Sequence, residues 1–298
     1  MITESDEPAG FNALCAKGLA DAQRQLGVHG RVFALEPSQN YQTVMQAAAR
    51  AGYDPIVTCS PTAAAGVPLL APKFPKTLFA TLRTSQRGSH LRNVIGLTFA
   101  DWEGGYLAGV AAASASRAGA IGVIEGDHLD PADARFGRGY RAGARATRPG
   151  VRLWVDKTIT SGSKIVCQNI ADDQIARGAD VVFADAGQCG LGALASAEAH
   201  SVWGIGIDLD RSARGTFILT SAVRRPDVAV STVIQARQNG TLVPGRIPAG
   251  RNLQFDVANG GVDFARVSAR APHRAALLAR LTHARKQLAS GAVKPPSS

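Results

Sequence analysis

Residues 178–212 constrain the fold of this chain more than any other stretch. Val181 to Ala184 is a short apolar run stopped by Asp185, and a loop carrying Gly187, Gly190 and Gly192 comes next. Leu191 to His200 is Ala-rich and helix-compatible, and Val202 to Ile207 is a second apolar run. A connection that passes through a helix makes the two strands parallel, so the Gly187 loop and Asp208 both lie at strand carboxyl ends. Open parallel sheets bind small ligands at that edge. The plainer alternative is that the glycines only turn the chain and that Asp208 only caps the next segment.

The same alternation runs through most of the chain. Cys15, Leu19, Ala22 and Leu26 share a helical face that Gly27 closes before a strand at Val32 to Leu35. Val44, Ala47, Ala48 and Ala51 repeat the pattern before a strand at Ile56 to Cys59. Pro61 to Gly66 reads as a loop, and Val67 to Phe74 as a short helix before a strand at Thr77 to Leu82. Further strands are expected at Val94 to Phe99, Ile121 to Glu125, Leu153 to Thr158 and Phe217 to Val223. Helices are expected at Trp102 to Ser116, Ala132 to Arg148, Ile165 to Arg177, Val228 to Asn239 and Pro272 to Leu288. The small residues of Trp102 to Ser116 suit close packing on a neighbour. Such alternation implies an α/β protein with parallel sheets. The strands exceed one open sheet of ordinary size, so they divide between two lobes.

At 298 residues and 45% hydrophobic, the chain can bury substantial cores. Its net charge of +10 raises the question of nucleic acid. Much of that charge sits beyond Phe264, where Arg266, Arg270, Arg274, Arg280, Arg285, Lys286 and Lys294 meet no acid. Without interleaved aromatics, zinc-finger spacing or a helix-turn-helix, that stretch reads as a solvated basic helix, and no nucleic-acid partner is expected. Cys15, Cys59, Cys167 and Cys189 form no Cys-x-x-Cys pair, so neither a metal knuckle nor a redox pair is suggested, and buried thiols are the expectation. No apolar run reaches membrane-spanning length, since Arg117 breaks the stretch around Ala108 to Ile124.

With these residues in place, the sequence resembles the basic membrane protein group of substrate-binding proteins, which includes the purine-nucleoside receptor lipoproteins of ABC transporters. The resemblance runs from Gly10-Phe11-Asn12 through Leu97-Thr98-Phe99 and Glu103-Gly104-Gly105-Tyr106-Leu107-Ala108-Gly109. It continues in Gly178 to Phe183, in Ala186-Gly187 with Gly190 and Gly192, in Gly206-Ile207-Asp208 and in Thr220-Ser221, and ends in Ser290 to Pro295. It implies a type I periplasmic-binding-protein fold: two doubly wound parallel-sheet lobes, joined by three crossovers, around a ligand cleft. The lobes are expected at 1–98 with about 222–255, and 99–221 with about 256–298.

The resemblance also implies site residues. Phe11 would stack on a base and Asn12 would help fix it; an aromatic face takes a flat heterocycle and leaves its polar edges open to hydrogen bonds. Asp208 would grip ribose hydroxyls, because a carboxylate can accept from two at once. Arg224 stands where the family commonly has a Lys that reaches the sugar, Gly187 belongs to the cleft-facing loop, and Asp101 or Glu103 would meet the base edge. Three departures stand out: Pro8 replaces the usual Asp before the Phe, Arg211 replaces a Gln, and Arg224 replaces the Lys. Arg for Lys is not conservative in a tight polar site.

The implied function is solute binding for an ABC-type importer, with a nucleoside-like small molecule as ligand and permease subunits as partners. No cofactor, metal or catalytic residue is expected. A cytoplasmic ligand-sensing or regulatory protein of the same fold is the alternative. An enzyme is disfavoured because the glycine order at Gly187 is not a dinucleotide fingerprint and no Walker loop or Gly-x-Ser-x-Gly elbow is present. His128 between Asp127 and Asp130 reads as a solvated turn. The family is extracytoplasmic and lipid-anchored. As written, this chain shows neither signal peptide, lipobox nor the usual first strand ahead of Gly10, which is read as either a cytoplasmic location or a start codon placed too late.

Overall fold

The computed structural model describes residues 1–4, 10–36, 39–126, 135–158, 163–296. The chain opens with β1 (Ile2–Glu4), α1 (Phe11–Leu26), β2 (Phe33–Leu35), α2 (Tyr41–Arg50), β3 (Ile56–Thr58), α3 (Pro61–Ala65), α4 (Val67–Leu70), β4 (Phe79–Leu82) and β5 (Val94–Phe99). It continues through α5 (Asp101–Ala115), β6 (Ala120–Glu125), α6 (Arg135–Thr147), β7 (Arg152–Lys157), α7 (Lys164–Ala176), β8 (Val181–Asp185), α8 (Gly190–Ala199), β9 (Trp203–Asp208) and β10 (Ile218–Arg224). The last elements are α9 (Pro226–Gln238), β11 (Asn252–Phe255), β12 (Val262–Phe264) and α10 (Arg274–Ala289). These divide into two compact units, Met1–Phe99 with Arg225–Phe255, and Ala100–Arg224 with Asp256–Ser298.

The first unit holds a parallel sheet in the order β2-β1-β3-β4-β5-β11. Strand order reverses between β1 and β3, the place where doubly wound sheets open a crevice at their carboxyl edge. The usual first strand is therefore present after all: Ile2 to Glu4 pair with Phe33 to Leu35, because three residues are enough to complete a ladder between two neighbours. One face is sealed by Ile2, Met45, Ile56, Phe79 and Val94. Tyr41, Met45, Ala48 and Ala49 form the buried face of α2, one residue out of step with the face expected from Val44 and Ala47. Pro61 to Ala65, expected as loop, is helical: Ser60 accepts from the Ala63 N–H at 3.1 Å and Pro61 occupies the first turn, where its missing N–H costs nothing. α1 packs on α9 so closely that a Cβ at Gly18 would meet the Asp227 backbone.

In the second unit the order is β7-β6-β8-β9-β10-β12, with only β12 antiparallel. The sheet is again doubly wound, and β8-α8-β9 is the parallel unit expected from residues 178–212. α5 is buried nearly all round, which explains why it is built of Ala and Gly with no polar stripe. It meets α6 through a reciprocal set of glycines. A Cβ on Gly105 or Gly109 would run into the carbonyls of Phe136 or Tyr140, and one on Gly139 or Gly143 into those of Trp102 or Tyr106. On the other side α10 packs against α5, burying Leu277, Leu281, Ala284 and Leu288 and leaving Arg274, Arg280, Arg285 and Lys286 exposed.

Gly109→Ala tests this contact. Ala is the better helix former by about 1 kcal/mol, yet the methyl group has nowhere to go, and overpacking costs about 1–3 kcal/mol. Urea denaturation is expected to show a net loss of stability, whereas Gly150→Ala, with open space around it, is expected to show almost none.

Candidate functional site

β6, β8, β9 and β10 end side by side in the second unit, and their last residues are Glu125, Asp185, Asp208 and Arg224. The Arg224 side chain is 4% exposed, yet it carries a full charge, so the fold must surround it with partners. Its Nε donates to Asp101 Oδ1 at 2.8 Å, its Nη1 donates to Asp208 Oδ1, and its guanidinium lies over the Phe136 ring, 4.6 Å from the centroid. Burial acts to lower the Arg224 pKa, but the charges of Asp101 and then Asp208, the hydrogen bond donated to Asp101 and the charge of Asp185 outweigh it and hold the group well above its ordinary value. The expected residues Asp101, Asp208 and Arg224 thus form one chain of charged hydrogen bonds.

Exposure grades along that chain. The side chain of Asp101 is 10% exposed and that of Asp208 is 21% exposed, so Asp208 is its outer end. Asp208 has φ of 66°, in the left-handed region, where Asp and Asn are the side chains most readily tolerated. Asp101 is the first residue of α5, where the helix N-terminus favours a negative charge.

Glu103 sits one step further into the same turn and does different work. Its Oε2 accepts from the Val257 backbone N–H at 2.7 Å, just where the chain re-enters this unit. Burial pushes its pKa up to about 7; the Val257 hydrogen bond pulls it down, and the charge of Asp256 adds to the rise.

Gly187 comes after β8, with φ of 54°, and opens a single turn over Gly187–Cys189 before α8, in which Gly187 and Gln188 are exposed and Cys189 is buried. That turn is tied to α7 by a disulfide between Cys167 and Cys189, with Cα atoms 5.3 Å apart. The expectation of buried thiols is corrected for this pair: the packing of α7 against the β8–α8 loop brings together two cysteines separated by 22 positions. Cys15 and Cys59 are buried and form no disulfide.

Phe11 and Asn12 belong to the first unit, as the first two residues of α1, and both are half-buried. Arg83, at the carboxyl end of β4 with φ of 59°, lies over the Phe11 ring at 5.5 Å from its centroid. Of the departures, Arg211 donates its backbone N–H to Ser221 Oγ at 3.1 Å. Pro8 lies outside the described residues, as do Asp127, His128 and Asp130. No group of His, Cys, Asp and Glu able to hold a metal occurs among the described residues.

Three charged groups at this edge escaped the sequence reading. Glu125 and Asp185 are in-register neighbours on β6 and β8, both buried, and Arg141 of α6 pairs with Glu125. Each acid is the last residue of an apolar strand, the same signal that singled out Asp208.

A family model described as "ABC transporter substrate-binding protein PnrA-like" (Bmp) matches residues 5–276. The chain belongs to the Bmp family. A relative named "ABC transporter nucleoside-binding protein BmpA", from Lactococcus lactis subsp. cremoris, is 33% identical over 189 residues, which cover 58% of this chain and 53% of that protein. The match therefore spans about half the length of that relative. A solute-binding protein of an ABC transporter system from Conexibacter woesei superposes with a TM-score of 0.78 at 23% identity, covering 99% of this chain and 97% of its own. A structure described as a transcriptional activator of the comK gene, from Bacillus halodurans, superposes with a TM-score of 0.82 at 20% identity, covering 99% of this chain and all of its own. At such identities the likeness shows the fold, which is that of the periplasmic binding proteins. Among the described residues of this Bmp-family chain, no helix is long and apolar enough to cross a membrane.

These contacts lead to two expected outcomes. Closing a loop of 22 residues by a disulfide stabilises by about 3 kcal/mol on chain-entropy grounds, so reduction, or Cys167→Ser with Cys189→Ser, is expected to lower unfolding stability by that order in urea. Glu103, with a folded pKa of about 7 against an ordinary 4.5, binds more protons folded than unfolded between those values. Stability is therefore expected to fall as pH rises from about 4.5 to about 7, and Glu103→Gln is expected to flatten that slope in melts across the same window.

Proposed function

We propose that this Bmp-family substrate-binding protein binds a nucleoside-like small molecule and delivers it to the permease subunits of an ABC importer, with no catalytic step. The observation that carries the reading is the Asp208 carboxylate, the exposed end of a buried charged chain at a strand carboxyl edge. A carboxylate fixed there suits the vicinal hydroxyls of a ribose, which donate in pairs. Phe11 supplies an aromatic face for the base and Asn12 a directional partner. The Lactococcus relative is named as a nucleoside-binding protein, which supports the same ligand class.

The working location is outside the cytoplasm. Disulfides persist in oxidising compartments and are rare in reducing ones, so the Cys167–Cys189 bond favours an exported protein over the cytoplasmic sensor. Mass spectrometry of the protein taken from its native cells under alkylating, non-reducing conditions checks this; two alkylated thiols at Cys167 and Cys189 would reverse it.

Calorimetry with adenosine, guanosine, inosine, cytidine and uridine, their free bases and free ribose tests the ligand class, and no binding by any ribonucleoside at millimolar concentration would overturn it. Asp208→Asn keeps the shape and the left-handed backbone but loses charge and acceptor capacity. It is expected to weaken ribonucleoside binding by about 1.5–3 kcal/mol, the range for hydrogen bonds to a charged group, and to leave binding of the free base unchanged. Equal losses for nucleoside and base would exclude the ribose role.

A further inference from the structure

We infer that Arg224 is a positioning residue and not a ligand contact, and that Asp101 acts on the ligand only through it, by setting how Arg224 holds the Asp208 carboxylate. The inference rests on the reading that Asp208 takes the sugar hydroxyls. It departs from the resemblance, which aims residue 224 at the sugar.

Three observations carry it. The first is burial: only 4% of the Arg224 side chain is exposed, and one face of the guanidinium is covered by Phe136. The second is the division of its donors. Nε is engaged by Asp101 and Nη1 by Asp208, so two bonds on different edges of a rigid plane set its orientation. A Lys at this position would bring the charge but not the plane, and one ammonium on a flexible stem cannot fix two carboxylates at defined angles. The third is backbone. Asp208 ends β9 and Arg224 ends the adjacent β10, where Asp208 lies opposite Val223, while Asp101 begins α5. All three side chains are therefore rooted at element ends that the sheet and the α5–α6 packing hold in place.

The consequence is a division of labour. Asp208 meets the ligand, Arg224 holds the direction of that carboxylate, and Asp101 shares the positive charge so that Arg224 does not fully neutralise Asp208. One guanidinium bonded to Asp101 and Asp208, with Asp185 also acting on it, leaves net negative charge, and Asp208, the least buried of the three, carries it toward the surface. With Asp101 neutral, Asp208 would take a larger share of the Arg224 charge and become a poorer acceptor for hydroxyls.

The test compares a ribonucleoside with its 2′,3′-dideoxy counterpart, which lacks the hydroxyl pair, using adenosine, guanosine and uridine in calorimetry. Asp101→Asn is expected to weaken ribonucleoside binding by roughly tenfold and to leave the dideoxynucleoside unchanged. In an Asp208→Asn background it is expected to have no further effect. Arg224→Lys is expected to reproduce the selective loss, and it serves as the second variant if Asp101→Asn fails to fold. Parallel losses for the ribo and dideoxy ligands, or a loss that adds to that of Asp208→Asn, would assign Asp101 and Arg224 to direct contact or general structure and overturn the inference. A wild-type protein that prefers ribonucleosides, with Asp101→Asn neutral, would overturn this inference alone. A wild-type protein that does not distinguish ribo from dideoxy would remove the Asp208 reading and this inference with it.

Discussion

Taking the Arg224 guanidinium out of water costs several kcal/mol unless charges and hydrogen bonds replace the lost solvent. The second unit is arranged to meet that requirement. Asp101 is supplied by the first residue of α5, Asp208 by the last residue of β9, and an aromatic face by Phe136 at the start of α6. Three elements distant in sequence are thus committed to one point at the carboxyl edge of the sheet. A buried ion pair of this sort is weak evidence for stability, since well-packed apolar groups would do as well. At a strand edge, with the outer carboxylate 21% exposed, such a pair is suited to presenting that carboxylate, the role proposed for it above.

The commitment holds only if α5 cannot drift. Its grip on α6 is made by glycines on both helices, each taking the place where a neighbouring backbone carbonyl approaches. Backbone-to-backbone packing of this kind leaves little slack, because no side chain can change rotamer to absorb a shift. Phe136, whose ring covers Arg224, lies on the same α6 surface and meets Phe183 from the sheet in a tilted ring contact. The glycine contact and the charge contact are therefore two parts of one arrangement.

The doubly wound sheets were legible because the evidence for them is repetitive: an apolar run of four to six residues, a turn, and an amphipathic or small-residue helix, again and again. What escaped was short or non-local. β1, β11 and β12 span only three or four residues each, and their pairing is decided by neighbours far away in the chain. α3 was hidden because Pro61 reads as a breaker, although a Pro in the first helical turn is a starter once Ser60 caps it. The Cys167–Cys189 bond is invisible to spacing rules, since its geometry comes from α7 lying on the β8–α8 loop. At the site, Asp208 was singled out by its place after Gly-Ile and by resemblance. Glu125 and Asp185 end their strands in the same way but had no motif to draw attention to them, and no spacing rule could have shown that Arg224 is buried between two acids.

The first turn of α5 shows how one helix end can serve two purposes without mixing them. Asp101 and Glu103 feel the same helix dipole, which favours both as anions. Asp101 is met by a cation and remains in the charged chain, whereas Glu103 is met by a neutral backbone N–H and by burial, and the burial pushes its pKa up to about 7. Partner type, not position on the helix, separates their behaviour. An ion pair fixes a charge that the edge of the sheet can present, while the Glu103 hydrogen bond fastens the helix to Val257, where the chain returns to the unit and goes on to build β12 and α10. Since α10 in turn packs along α5, the segment that Glu103 fastens leads into the helix that covers α5 itself. The carboxylate presented at the sheet edge and the closure of the second unit are thereby tied to the same helix terminus.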